Sequence, residues 1–148
     1  MRKNQNYKQG IFRALCPKKY KGSLPIVYRS SLELKVFRWI DNNPNIISWG
    51  SESIVIPYIS PADSKLHRYF VDLNLVLVHE NVSQKYLIEI KPHSQVLPPV
   101  ISSRKKPSTI LYEAVTYSIN QAKWEAAREW CKKHNYKFLI FTEKHIKG

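Results

Sequence analysis

The chain has 148 residues, of which 24 are Lys or Arg and 11 are Asp or Glu, so its formal net charge is +13. This length accommodates one domain of ordinary size, and the charge favours a polyanionic partner, most simply a nucleic acid. A membrane partner is disfavoured, because no apolar run approaches the roughly 20 residues of a spanning helix. Two cysteines, Cys16 and Cys131, exclude a disulfide-stapled scaffold and a zinc knuckle, and they fit a reducing compartment.

The first segment of the chain carries basic residues and no acidic one, which predicts a basic arm over residues 1–22 and a single domain over residues 23–148. Apolar residues within the arm indicate that part of it docks on the domain. A helix is predicted next. It begins at an N-cap residue, Ser30 or Ser31, and stops before Pro44.

Three strands are predicted after this helix, then a proline-rich loop, a long helix and a last strand. The strands cover residues 53–59, 69–78 and 85–91, and the last two elements cover residues 109–134 and 136–142. The predicted apolar stripe of the long helix consists of Leu111, Val115, Ile119, Ala122, Ala126 and Trp130. This order predicts an α/β fold with a mixed central sheet flanked by helices, in which a helical crossover leads to the fourth strand.

The second and third strands form a predicted hairpin that places charged side chains on one of its faces. Alternation puts Val71 and Leu73 on one face and Asp72 on the other, together with Glu89 and Lys91 of the return strand. In the predicted register, Asp72 lies opposite Lys91. A slip by one pair would change these partners but not the face.

Two carboxylates close together on a sheet face repel each other, and a divalent cation relieves the repulsion. Mg²⁺ prefers oxygen ligands and keeps several waters, so Asp72, Glu89 and the carbonyl of Ile90 form a candidate metal site. Lys91 could then orient or activate a water nucleophile. The alternative is a simple cross-strand ion pair between Lys91 and Asp72, worth up to about 1 kcal/mol. Both acids lie mid-strand among apolar residues, which favours the metal site.

A helix with Glu33 precedes Asp72, and Glu89-Ile90-Lys91 follows it after a hairpin. This pattern resembles the PD-(D/E)xK nuclease superfamily. The resemblance covers roughly residues 24–143 and implies a restriction-endonuclease-like αβββαβ core. The chain departs from the family pattern at Val71, where the family has proline. The helix of residues 124–133 and the segment after it are similar to TnsA-type transposon endonucleases.

The resemblance implies a DNA endonuclease that uses Mg²⁺, with Mn²⁺ as a possible substitute. Within the TnsA-like branch, the small size and basic N-terminus are similar to nucleases of large contractile-tailed phages. This resemblance implies action on double-stranded DNA at the portal of a filled head, with portal or neck proteins as partners and the host cytoplasm or the virion as location. The alternative is a non-catalytic protein that closes the head and holds a DNA end. A transposase partner subunit is less favoured, since only residues 144–148 follow the last strand.

Glu33 has two interpretations. By resemblance it is a third acid near the metals, and by local pattern it is the acid of a capping box that reaches back to the Ser30 amide. The catalytic interpretation is slightly favoured, because Glu33 borders the apolar stripe of its helix. Phosphate contacts are predicted for two groups of basic residues: Arg104, Lys105 and Lys106 in the loop, and Lys18, Lys19 and Lys21 in the arm.

Overall fold

A computed structural model of the chain describes residues 9–146. The strands are β1 (Gly10–Phe12), β2 (Ile26–Tyr28), β3 (Ile46–Ser51), β4 (Val55–Ile59), β5 (Leu66–Phe70), β6 (Leu73–His79), β7 (Val82–Ile90) and β8 (Tyr136–Phe141). The helices are α1 (Ser31–Asn42), α2 (His93–Val96) and α3 (Pro107–His134), with a short 3₁₀ turn at Pro17–Lys19. No helix within this part of the chain is long and apolar enough to cross a membrane.

The central sheet has four strands in the order β3-β6-β7-β8. Strands β3, β6 and β7 pair antiparallel, and β8 joins β7 in parallel after the α3 crossover. The predicted mixed sheet is therefore confirmed. Two small antiparallel ribbons, β1-β2 and β4-β5, lie outside it.

The two faces of the sheet are covered by different helices. On one face, Phe37 and Ile40 of α1 pack with Leu73 and Ile88. On the other face, Trp124 of α3 packs with Leu87 and with the β4-β5 ribbon. Leu87 and Ile88 are neighbours on β7, so the alternation predicted for this strand is confirmed and sends their side chains into separate cores.

The strand predicted over residues 69–78 is in fact interrupted. β5 ends at Phe70 and pairs with β4, whereas β6 begins at Leu73 and belongs to the central sheet. Between them, the Val71 amide donates to the Ile54 carbonyl at 3.0 Å, and the Val71 side chain packs on the α3 side, while Leu73 packs on the α1 side. The prediction that Val71 and Leu73 share one face is therefore wrong, because the chain changes sheets between them.

The first strand of the central sheet is β3, not the predicted strand of residues 53–59. That segment contains β4, which pairs with β5 outside the central sheet. The residues of β3, Ile46–Ser51, lack a clean alternation, and their pairing with β6 is irregular between Ile46 and Ser48. This irregularity removes the period of two on which strand prediction depends.

Only part of α3 packs as predicted. Its buried residues are Asn120, Trp124, Ala127 and Cys131, whereas Leu111, at the start of the predicted stripe, is 66% exposed. The C-terminal half of the helix lies on the sheet, and its N-terminal half lies beside the loop before it. The predicted stripe is confirmed for Ile119, Ala122, Ala126 and Trp130, which are partly buried against this core. It is wrong for its first two residues, because it assumed one partner along the whole helix.

The described part of the basic segment, residues 9–22, packs against α1. The amides of Leu15 and Cys16 donate to the buried Asp41 carboxylate, at 2.7 and 3.1 Å. The Lys19 ammonium donates to three carbonyl oxygens at the C-terminal end of α1, those of Ile40, Asp41 and Asn43, at 2.8–3.0 Å. Cations stabilise this end of a helix. Residues 1–8 of the predicted arm lie outside the described residues.

Lys19→Ala is expected to lower the free energy of unfolding by about 2 kcal/mol, because it removes charge-assisted hydrogen bonds from carbonyls at a helix end. Lys18→Ala is the matched control, since Lys18 is the neighbouring lysine and is exposed. Chemical denaturation of the three proteins measures the difference. Equal stabilities of the two variants would show that the ammonium contacts contribute nothing beyond those of a surface lysine.

Candidate active site

Asp72 and Glu89 lie side by side at the end of the β6-β7 pairing. Leu73 pairs with Ile88, so the next residues outward, Asp72 and Glu89, come opposite each other. The predicted register, with Asp72 opposite Lys91, was therefore wrong by one pair. The face holds, because a shift by one pair keeps the alternation.

The Asp72 carboxylate turns inward toward the main chain of β7. Its Oδ2 accepts a hydrogen bond from the Ile90 amide at 2.8 Å. Burial raises the pKa of Asp72 well above its usual value, and the charges of Glu89 and Glu33 raise it further. The Ile90 amide and the Lys91 ammonium act in the opposite direction on this pKa. Asp72 thus lies in a crowded acidic site where its own charge is disfavoured.

Glu89 is only 6% exposed and has partners on both carboxylate oxygens. The Lys91 ammonium lies 3.5 Å from Oε1, and the Tyr69 hydroxyl donates to Oε2. Burial raises the pKa of Tyr69, and the charge of Glu89 raises it further. This phenol therefore stays a donor. Buried charges need such partners, because an unpaired carboxylate loses its hydration without compensation.

Glu33 caps α1 and also acts on the acidic pair through space. The Ser30 hydroxyl accepts from the Glu33 amide at 3.0 Å, and the Glu33 carboxylate accepts from the Arg29 amide. The capping interaction thus reaches one residue earlier than the predicted Ser30 amide. Burial raises the pKa of Glu33, and the negative charge of Glu89 contributes to this shift. Glu33 therefore makes the contacts of a helix cap, and its catalytic role stays a prediction.

The oxygen atoms at this site fit a hard divalent cation. In an extended strand, the amide and carbonyl of one residue point to the same edge, so the Ile90 carbonyl lies on the edge from which its amide reaches Asp72. Within residues 9–146, no group of three or more His, Cys, Asp or Glu side chains is placed to hold a metal. Two carboxylates, a carbonyl and waters match the way Mg²⁺ binds proteins.

The predicted phosphate contacts are not paired with the acids. No hydrogen bond or ion pair in the described part of the chain joins them to Asp72, Glu89 or Glu33. Lys105 pairs with Glu113 at 2.9 Å, and Lys19 contacts the carbonyls at the end of α1. The four others are exposed: Lys18, Lys21, Arg104 and Lys106.

Sequence reasoning missed two features of the site. Tyr69 reaches Glu89 because the chain changes sheets after Phe70, whereas a continuous strand would have sent its side chain to the other face. Arg29 forms an ion pair with Glu52, and the Glu52 amide donates to the Asp72 carbonyl at 3.1 Å, so this pair borders the site. A turn signal between Phe70 and Leu73 would have predicted this arrangement, but the sequence there contains neither Gly nor Pro.

Asp72→Asn is expected to raise the melting temperature of the metal-free protein at neutral pH. The pKa of Asp72 is higher in the folded than in the unfolded state, so folding stability falls as pH rises from the unfolded toward the folded pKa. The amide does not titrate, so the advantage of the variant should grow over this range. The free energy of unfolding of the wild type relative to the variant changes by at most about 1.4 kcal/mol per pH unit.

Melting in EDTA from about pH 4 to pH 8 measures this effect over the range in which carboxylates titrate. Glu129→Gln is the matched control, because Glu129 forms an exposed pair with Lys132 at 3.2 Å and such pairs contribute little. If Asp72→Asn and Glu129→Gln show the same pH dependence, the pKa of Asp72 is not raised.

Two comparisons relate the chain to known proteins. Residues 43–143 match the family model described as TnsA-like endonuclease N terminal. The chain is also similar to the head completion nuclease of Enterobacteria phage T4, with 39% identity over 134 residues, which are 88% of this chain and 87% of that protein. The family match includes Asp72, Glu89 and Lys91, whereas Glu33 precedes it.

Proposed function

This chain belongs to the family of TnsA-like endonuclease N-terminal domains, and on that premise we propose that it is a metal-dependent DNA endonuclease of the PD-(D/E)xK type. The observation that carries the proposal is the convergence of Asp72, Glu89 and Lys91 beside the main chain of Ile90. We assign the helix α1, the strands β3, β6 and β7, the helix α3 and the strand β8 to the αβββαβ core of that superfamily. The β4-β5 ribbon is then an insertion between its first two strands.

Asp72, Glu89 and the Ile90 carbonyl would hold Mg²⁺, and Mn²⁺ would substitute for it. When bound, such a cation polarises a phosphate oxygen and makes a water molecule more acidic. The two carboxylates would hold the cation through their negative charge. Glu33 adds negative charge to the same region from the N-terminal end of α1.

Lys91 would orient the attacking water and favour its deprotonated form. Its ammonium already lies 3.5 Å from Glu89 Oε1, at the boundary of the buried acids. A positive charge at this position stabilises hydroxide and the negative charge that develops on phosphorus oxygens. The exposed residues Arg104, Lys106, Lys18 and Lys21 would contact phosphates on either side of the cut and supply affinity without sequence preference.

The similarity to the phage T4 protein supports a role in phage head completion. We propose that the substrate is double-stranded viral DNA and that the protein acts in the host cytoplasm during virion assembly. Contact with portal or neck proteins is part of the same proposal. The similarity to the phage T4 protein extends over 88% of the chain, so it supports this assignment more strongly than the family match, which covers residues 43–143.

Plasmid digestion with Mg²⁺ or EDTA tests the proposal. The wild type should cut supercoiled plasmid in the presence of Mg²⁺ but not in the presence of EDTA. Asp72→Ala should leave the plasmid supercoiled under both conditions. Glu129→Gln, an exposed acid far along α3, is the control that should cut like wild type. A wild type that binds DNA but does not cut it with either Mg²⁺ or Mn²⁺ would support the non-catalytic, head-closing alternative instead.

A further inference from the structure

The Tyr69 side chain is buried between the β4-β5 ribbon, α3 and the acidic pair. It is 4% exposed, and its hydroxyl donates to Oε2 of Glu89, which is itself 6% exposed. A phenol has one proton to donate, and this proton is used on the carboxylate. The bond joins β5 of the ribbon to β7 of the central sheet, two elements that do not pair with each other.

Three neighbours fix the position of the Tyr69 ring. Ile56 pairs with Tyr69 across the β4-β5 ribbon, and the Lys123 ammonium of α3 lies 5.5 Å from the ring centre. Trp124 packs in the same core. Its indole N–H is buried and has no hydrogen-bond partner among the described residues. Packed in this way, the phenol directs its proton to Glu89.

This contact restricts Glu89 to one orientation. A carboxylate can rotate about its last torsion, and a hydrogen bond to one oxygen fixes the plane in which both oxygens lie. With Oε2 bonded to Tyr69, Oε1 is the oxygen that faces Lys91 at 3.5 Å. Partners of this kind orient metal-binding carboxylates, and their loss typically weakens metal binding or activity by about 10- to 100-fold.

We propose that Tyr69 is a positioning residue that holds Glu89 with Oε1 directed toward the bound cation. The inference rests on the proposed function, because it assigns Glu89 to the metal. Tyr69 itself does not touch substrate or metal. It acts through Glu89 alone, so removal of its hydroxyl should affect metal binding even when DNA is absent.

Tyr69→Phe removes the hydroxyl and keeps the ring beneath Lys123. Tyr58→Phe is the matched control, because Tyr58 lies on the same face of the ribbon and its ring also lies near the Lys123 ammonium, at 5.9 Å. In the described part of the chain, no hydrogen bond joins the Tyr58 hydroxyl to Asp72 or Glu89. Mn²⁺ binding without DNA, followed by the electron paramagnetic resonance signal of free Mn²⁺, gives a readout that is independent of cleavage.

The dissociation constant for Mn²⁺ should rise at least about 10-fold in Tyr69→Phe and stay within about twofold in Tyr58→Phe. Cleavage by Tyr69→Phe should recover in part at high metal concentration, which a general loss of folded protein would not produce. Wild-type affinity in Tyr69→Phe would overturn the positioning role and leave the proposed nuclease intact. A wild type that binds no Mn²⁺ and does not cut would overturn both.

A second measurement covers the case in which Tyr69→Phe does not fold. In the folded wild type, the Tyr69 hydroxyl proton should give a downfield, slowly exchanging proton resonance, because it is buried and bonded to a carboxylate. Glu89→Gln should shift this resonance, since the acceptor loses its charge. A hydroxyl resonance that is unaffected by Glu89→Gln would overturn the inference.

Discussion

Lys91→Ala is expected to abolish cleavage and to leave the fold and most of the DNA affinity intact. The lysine lies 3.5 Å from Glu89 Oε1, and in the proposed mechanism it orients the attacking water. Groups that assist proton transfer or stabilise charge at the reacting centre contribute about 10²- to 10⁴-fold to rate, so we expect a loss of about 1000-fold. One ammonium among 24 basic residues changes a phosphate-dominated affinity little.

Lys85→Ala is the matched control for this prediction. Lys85 lies near the exposed end of β7, and Lys91 directly follows the other end of this strand. The Lys85 ammonium lies 5.6 Å from the Tyr136 ring centre. Cleavage rates and duplex affinities are measured for both variants at several salt concentrations. Lys85→Ala should match wild type in rate. Equal losses of binding and cleavage in Lys91→Ala would show that Lys91 is an ordinary phosphate contact.

The face of β7 that carries the site could be predicted from the sequence, because successive side chains of a strand point to opposite faces of the sheet. Leu87 and Ile88 are neighbours on this strand, and both are buried. Alternation does not specify the register. The turn after His79 does: Glu80 and Asn81 both have positive φ and form a two-residue connection, so His79 pairs with Val82. The predicted turn was longer than this connection. It therefore placed Asp72 opposite Lys91, one pair away from its actual neighbour Glu89.

The break between β5 and β6 could not be predicted from local pattern. Residues 69–78 alternate as one strand would, and the sequence around Val71 contains neither Gly nor Pro. Tertiary packing decides the outcome: Tyr69 and Val71 bury their side chains against Trp124, and Leu73 buries its own against α1. Because helix α3 is distant in sequence, its position relative to the ribbon is not visible in a short window.

Glu33→Gln is expected to reduce cleavage by at least about 100-fold and to leave the melting temperature nearly unchanged. The amide keeps the length of the side chain and can still accept the hydrogen bond from the Arg29 amide. It removes the charge that acts on Asp72 and that a cation or its waters would use. The loss of one preorganised electrostatic group has this magnitude. The effect on stability is small, because relief of a buried charge opposes the loss of a favourable charge at a helix N-terminus.

Ser30→Ala tests the two roles of Glu33 in the complementary way, because it weakens the helix cap and keeps the Glu33 carboxylate. It removes the oxygen that accepts from the Glu33 amide at 3.0 Å and leaves the Glu33 charge in place. Loss of such a cap costs about 1 kcal/mol, so this variant should melt earlier and still cut DNA. The two variants are therefore expected to show opposite patterns in thermal melting and plasmid digestion. If Glu33→Gln cuts like wild type, Glu33 is a helix cap and the active site reduces to Asp72, Glu89 and Lys91.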